Sequence, residues 1–499
     1  MPGPTAPLQS TSELPAERAT NGDVLPTHVG VLDFYRVIAE TAIDAARRYR
    51  LPMWSAIALT GVYFGLRTID ANADQMTIWL WAVIALCFLS PVSGLVVLAA
   101  IAPFNEGIEG VAVSGEVGSK SAIAVALVLA IGLRWLVVPT ARTRPSAPVV
   151  LALLLLVTAG LGLIRTLDRW GTDFATLAAG TWIQGVATML LVFVATVWIA
   201  RSGVRGPLVA AMVATTVAGI VSLVDYWGDA AIRDSALGWV TAGQYIASRL
   251  TGVIRSPTST AALVMLPLCV YLAAVFLAPM ARLRIAAAAV TAPLLLAAYL
   301  TYNRAVFIAL YVLAVIVGWR IGRRLGMALL IVGIVLGVAL VPWYVSLRGQ
   351  ALGPGATLQP GQVFAANDQQ RLEAWAASGR MFLDEPLLGQ GYRAFRQLAV
   401  QYGVPVINAP HNEWLRFFAE HGVFVGLLGL AWLGATAIRL ARAPGWLGAG
   451  LFGSFLSLAI AASFNNVFLF NQVTIPAMVM AGTGFALSRP PTPAVREDA

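Results

Sequence analysis

The sequence predicts an all-α polytopic membrane protein, and three observations carry that prediction. Apolar residues fill 59% of the 499 positions and charged residues only 11%, against roughly 25% charged in soluble domains. The mean hydropathy is +0.78. Runs such as VVLALLLLVTAGLGLI and ALLIVGIVLGVALVPW have the length and composition that cross a hydrocarbon core, which takes about 20 apolar residues.

From the N-terminus, residues 1–30 open as MPGPTAPLQSTSELPAER, polar and rich in Pro, Ser and Thr. They are expected to form a disordered cytoplasmic tail without a cleavable signal. Residues 31–50, VLDFYRVIAETAIDAARRYR, place Leu32, Tyr35, Ile38 and Ala42 at helical spacing with charges between them. That pattern suits an amphipathic helix on the membrane surface.

Fourteen spans are expected, near 53–67, 76–89, 91–104, 119–139, 147–164, 179–200, 206–224, 259–279, 284–302, 304–319, 326–345, 417–438, 446–464 and 470–488. The pair at 76–104 is short; read as one broken element, it leaves twelve or thirteen. Residues 51–224 then make an N-terminal transmembrane region, and 489–499 a second cytoplasmic tail. With the N-terminus inside, the connectors TARTRPS, RSGVRG, MARLR, RIGRR and RLARAP all fall on the cytoplasmic side, as the positive-inside rule requires. Two outward loops remain, 225–258 and 346–414. Within the longer one, DQQRLEAWAASGRMFLDEP reads as a helix capped by Asn367 or Asp368 and stopped by Pro386, with Leu372, Trp375, Ala376 and Phe382 on its apolar face. A second short helix is expected after LLGQGYRAFRQLAVQYG.

Composition also excludes several classes. The net charge of +9 with Lys120 as the sole lysine fits topology and an anionic ligand rather than nucleic acid. Cys87 and Cys269 lie in apolar runs, so a disulfide framework is not indicated. No His, Cys and Asp set has metal-ligand spacing, and no cofactor motif appears. The GQG of LLGQGYRAF lacks the strand and βαβ unit of a dinucleotide loop. Glu106 and Glu109 are two lone loop carboxylates.

Arginines carry the chemical signal. Arg233, Arg249, Arg255, Arg304, Arg348, Arg371, Arg380, Arg393, Arg396 and Arg416 fall on the outer side, against insertion preference. A guanidinium is a planar fork suited to phosphate, so a pyrophosphate-bearing substrate would account for the set; for any single one, snorkelling or pairing is the plainer reading. Arg304, in LTYNRAVFIAL, lies between two spans with almost no loop, where a charge faces a cavity or partner. Arg249 and Arg255 hold a similar boundary position in SRLTGVIRSPTS. Two of the three histidines fall in NAPHNEWLRFFAEHG, residues 408–422. Pro410 suits a first helical turn and would place His411 at the positive end of the dipole with Arg416 nearby. Both influences favour the neutral imidazole, which is able to act as a general base; capping without catalysis is the equal alternative. Asn412 or a loop carboxylate is positioned to set its tautomer, and His421 reads as a packing residue.

TYNRA, then RLEAW and PLLGQGYRAF, then HNEWLRFFAEHG entering a span, resembles the O-antigen ligase and polymerase superfamily; RLTGVIRSPTSTA resembles its arginine-bearing segment. The resemblance covers roughly residues 225–470, the N-terminal spans matching only in general character, and makes 225–488 the expected catalytic region. Asn303 stands where the family often has serine, and Ser-Pro-Thr where it often has Pro-Asn. The resemblance implies a GT-C-like, metal-independent, inverting glycosyltransferase of the bacterial cytoplasmic (inner) membrane. Its donor would be an undecaprenyl-pyrophosphate-linked glycan and its acceptor a hydroxyl of lipid A-core or another glycan. His411 would be the base, and Arg304, with Arg249 or Arg255, would hold the pyrophosphate. Arg371 and Trp375 would shape the glycan groove, with core packing at least an equal alternative, and Asn412 and Arg416 would join the substrate-binding set. A polymerase of the same superfamily is the alternative. A lipid-linked sugar flippase would want charges deep in its spans, and a scaffold would not need the histidine among arginines.

Overall fold

The computed structural model describes residues 52–69, 72–104, 118–137, 145–200, 205–227, 250, 252–254, 256–301, 303–351, 360–404 and 410–488. The expected tail, the 31–50 surface helix, Glu106, Glu109, Arg233, Arg249 and Arg255 lie outside them.

Every described element is helical, and a helix covers each expected span. The first run comprises α1 (52–68), α2 (Ala73–Leu89), α3 (Pro91–Ile101), α4 (Ser119–Val137), α5 (Ala147–Trp182), α6 (Thr188–Ala200) and α7 (Gly206–Trp227). The second comprises α8 (Pro257–Leu277), α9 (Ala281–Leu300), α10 (Arg304–Ile321) and α11 (Arg323–Ala351). The long loop holds α12 (Pro360–Asp384) and α13 (Ala394–Leu398), and the chain closes with α14 (Glu413–Ala441), α15 (Gly445–Phe464) and α16 (Asn471–Leu487). Among the described residues, eight helical stretches are long and apolar enough to cross a membrane, and one of them, Ala147–Ala200, spans two of the expected crossings. The short pair is two helices, split at Ser90, whose hydroxyl accepts the Ser93 amide as an N-cap. Lys120 is buried, and its ammonium donates to the carbonyls of Ala102 and Phe104, just past the end of α3.

The core follows from composition. α8 packs between α15 and α9, and α16 lies along α6. Small side chains let the backbones approach: a Cβ at Gly450 would come 2.6 Å from Val270 Cα, and one at Gly482 would come 2.6 Å from Thr196 Cβ.

α14 is broken rather than straight. Gly422 has φ 78° and ψ −177°, a conformation open chiefly to glycine. In the hairpin of α14 and α15, the Trp432 and Phe455 rings lie 6.1 Å apart. Further out, the Trp414 indole donates to Ser463 Oγ at 3.0 Å. Eighteen residues of α14 therefore answer to eight of α15. At about 1.5 Å per residue that excess is taken up at the Gly422 break, where Glu413–His421 leaves the line of the rest of α14. From Gly422 to Ala441 the helix then covers about 30 Å, the thickness of a hydrocarbon core.

Within the long loop, α12 begins two turns before the expected cap and ends at Asp384, ahead of Pro386. Its buried face is not the expected one. Ala374, Ala377, Ser378 and Met381 are buried, while Leu372 and Ala376 are exposed. The small residues face α13 and α14 because close backbone approach needs them there, so side-chain bulk misled the assignment.

Candidate active site

The site is assembled where the long loop, the start of α14 and the end of α15 meet. Asn412 is the N-cap of α14: its side-chain oxygen accepts the Leu415 amide at 3.0 Å, as N-caps do. The helix starts at Glu413, so Pro410 and His411 precede it, and His411 is not in the first turn as the proline suggested. His411 instead takes a left-handed conformation, φ 53°. That costs a non-glycine residue about 1–2 kcal/mol, although histidine enters the region more readily than most.

Three contacts fix the segment. The Trp375 indole donates to the Pro410 carbonyl at 2.9 Å, and its ring lies 6.4 Å from that of Phe464. Trp414 bonds to Ser463. Glu413 Oε1 accepts the Phe468 amide at 2.9 Å. Residues 410–414 are thereby stitched to residues 463–468, and His411 faces Asn465. The imidazole is held below its ordinary value of 6.5 by burial first and by the Arg371 guanidinium second, with the Asn465 side chain acting in the opposite sense. It is therefore neutral over the physiological range. Trp375 is thus placed against the backbone before His411, and Arg371 within electrostatic reach of its ring.

Arg416 is 5% exposed. Its guanidinium is 2.7 Å from Glu413 Oε2 and 3.9 Å from Glu420 Oε2, and lies over the Tyr392 ring at 5.7 Å. Each carboxylate also serves a neighbouring segment: Glu413 takes the Phe468 amide, and Glu420 Oε1 takes the Phe395 amide at 3.3 Å, at the start of α13. The triad ties both segments to α14, and a buried charge set of this kind needs every member. Beside it, the Gly391 and Gln390 amides donate to the Glu420 and Ala419 carbonyls, each at 3.0 Å, and the Val423 amide to the Pro386 carbonyl at 2.8 Å. A Cβ at Gly389 would meet the Glu420 backbone at 2.5 Å, and one at Gly422 would overlap the Leu387 carbonyl. The segments that carry GQG and E-x-G thus meet backbone to backbone. His421 packs between Tyr392 and Phe417, rings 5.4 and 5.5 Å away, over Gly162 of α5.

Arg304 is the first residue of α10, exposed, with Asn303 capping the helix through the Ala305 amide at 3.0 Å. Asn303 and Ala461 of α15 line one narrow crevice, and Asn465, which faces His411, lies one turn beyond Ala461. The same end of α15 therefore abuts both the start of α10 and the His411 segment. Of the region around Arg249 and Arg255, the described part is packed: the Leu250 amide donates to the Leu300 carbonyl at 2.9 Å, and Val253 to Ser222 Oγ at 3.3 Å.

Sequence reasoning did not find Asn465, Arg165, Arg169 or Glu385. Arg165 and Arg169 of α5 lie 3.1 and 3.6 Å from Glu385 and brace the loop. The Asn-Asn pair in FNNVFLF, at the end of an apolar span, was the signal available for Asn465. Among the described residues, no group of three His, Cys, Asp or Glu side chains is placed to hold a metal.

Residues 288–431 match the family model described as O-antigen ligase, which supports membership of the O-antigen ligase superfamily. The match includes Arg304, Arg371, Trp375, His411, Asn412 and Arg416, and ends before Asn465. No curated individual protein matches the chain.

Proposed function

We propose that this chain is a ligase-type membrane glycosyltransferase of surface-polysaccharide biosynthesis. It transfers a glycan from undecaprenyl pyrophosphate to an acceptor hydroxyl, lipid A-core or another glycan, at the outer face of the bacterial cytoplasmic membrane. The observation that carries the reading is His411. It is a neutral imidazole in a strained backbone conformation, held by Trp375 and by the start of α14, with Arg371 beside it.

In this reading His411 takes the proton of the acceptor hydroxyl as its oxygen attacks the anomeric carbon of the donor sugar. The bond from that carbon to the pyrophosphate oxygen breaks, with inversion, and undecaprenyl pyrophosphate leaves. Arg304 and Arg371, with Arg249 or Arg255, offset the charge that develops on the leaving group. The donor is already activated, so positioning and electrostatic stabilisation are the main requirements. Arg416 is assigned to the buried triad rather than to substrate, and Asn412 to capping.

The test uses a host lacking the gene, complemented with wild type or His411→Ala, with lipid-linked and mature surface glycans analysed by gel and mass spectrometry. The ligase reading expects full-length chains to accumulate on the carrier in the mutant. Single repeat units on the carrier would assign a polymerase. Glycans unchanged by deletion would exclude both and reopen transport.

A further inference from the structure

We infer that the turn Leu383–Gly389 of the long loop is seated in the leaflet on its own side of the bilayer, with Leu387 and Leu388 among lipid acyl chains. The inference concerns where the loop sits and does not depend on the transferase reading.

Leu383, Leu387 and Leu388 are 73%, 60% and 64% exposed, in a turn that is otherwise firmly docked. Its backbone is fixed to the break in α14 by the Val423 to Pro386 bond and by the close approach at Gly422. Two independent rulers set its depth. From Ala441 up to Gly422 the helix covers about 30 Å, so Gly422 marks the edge of the hydrocarbon. From Ala147 of α5 up to Thr166, whose hydroxyl donates to the Tyr392 carbonyl at 3.3 Å, the rise is about 29 Å. Both place the docked backbone at the membrane boundary.

The surroundings fit that level. Phe424, just below the break on α14, is 67% exposed, and with Leu387 and Leu388 it continues the apolar outer surface of a helix long enough to span. Glu385, within the turn, pairs with Arg165 and Arg169 of α5, so the turn presents its carboxylate at the level where headgroups would lie and its leucines below. Leu387 and Leu388 are adjacent and both exposed; among acyl chains they anchor the loop at a fixed height.

The test is spin labelling of single-cysteine variants of the full chain in lipid nanodiscs. Cys87 and Cys269 are buried and leave the label at its intended site. Leu387→Cys and Leu388→Cys are compared with Leu427→Cys on α14 and with Gln397→Cys, an exposed position of α13. Labels at 387 and 388 are expected to collide with dissolved oxygen and to be protected from an aqueous nickel chelate, as at 427. A nickel response matching that at 397 would overturn the inference. So would protection from both reagents, which would mean that protein, not lipid, covers the turn.

A second, independent observation concerns Asn465. We propose that Asn465 is a positioning residue that fixes the ring of His411, accepting from Nε2–H so that Nδ1 keeps the lone pair. This rests on the base assignment for its purpose but not for its test. The stitching of 410–414 to 463–468 sets the two side chains face to face, and Asn465 is buried. His411 Nδ1 is buried without a hydrogen-bond partner, as is Asn465 Nδ2. By elimination, the amide oxygen and Nε2 are the atoms left to meet. The full chain, labelled with ring ¹⁵N-histidine and assigned by difference with His411→Gln, reports the tautomer with no glycan present. Wild type and Asn465→Asp are expected to show the Nε2–H form, and Asn465→Ala a mixture of both tautomers. A wild-type spectrum from Asn465→Ala, in protein that remains folded, would overturn it. An inactive or fully active His411 variant would bear on the reaction and leave this result untouched.

Discussion

The indole of Trp375 and the carbonyl of Pro410 are joined at 2.9 Å, which ties the middle of the loop helix to the residue before the candidate base. A net hydrogen bond of this type contributes about 0.5–1.5 kcal/mol. Trp375→Phe keeps the packing on Phe464 and loses only that bond. The expected outcome is wild-type abundance with activity reduced severalfold. Unchanged activity would show that the backbone at 410 is held by other means.

The glycines that dock the loop separate cleanly from one that does not. Gly389→Ala and Gly422→Ala place a Cβ against backbone at positive φ, which costs about 1–2 kcal/mol for the conformation alone before any overlap. Gly379 in α12 has open space around it, and an alanine there gains about 1 kcal/mol of helix propensity. Thermal unfolding in detergent is expected to rank Gly379→Ala at or above wild type and the other two well below.

Arg416 stands between two buried carboxylates. Arg416→Ala leaves them uncompensated, and breaking a buried set of this kind costs about 3–5 kcal/mol. The expected result is poor accumulation in the membrane whether or not donor is supplied. Arg416→Ala at normal abundance with a selective loss of donor use would return Arg416 to the substrate site.

The pH dependence follows from His411. A base must be unprotonated, so activity is full above its value and falls as pH drops through it. Burial and Arg371 hold that value below 6.5, so the plateau should extend to the acid side of 6.5. Arg371→Gln removes one lowering influence and should move the acid limb upward in the profile of kcat/KM, whatever it does to the rate. An unmoved limb would separate Arg371 from the histidine.

Much of this was legible in the sequence, because apolar runs and arginine-bearing connectors report spans directly. The two glycine motifs were visible as motifs, but their meeting was not: Gly389 against Glu420, and Gly422 against Leu387, are brought together only by long-range packing. The same holds for Arg416. As a charge near a histidine it read as a ligand, and only the fold reveals Glu413 and Glu420 on either side of it. The face of α12 was misread because Ala374, Ala377 and Ser378 carry little hydrophobic weight, yet small size is what buries them. For Asn465 the Asn-Asn pair marked a polar end to its span, but nothing local pointed from it to residue 411.

The most direct test of the central claim is transfer by the purified protein in proteoliposomes, with lipid-linked glycan and acceptor supplied, comparing wild type with His411→Ala at matched incorporation. A positioned general base contributes about 10²–10⁴-fold, so a loss of that order is expected, with donor binding retained. Transfer by His411→Ala within a few-fold of wild type would contradict the assignment of His411 as the base.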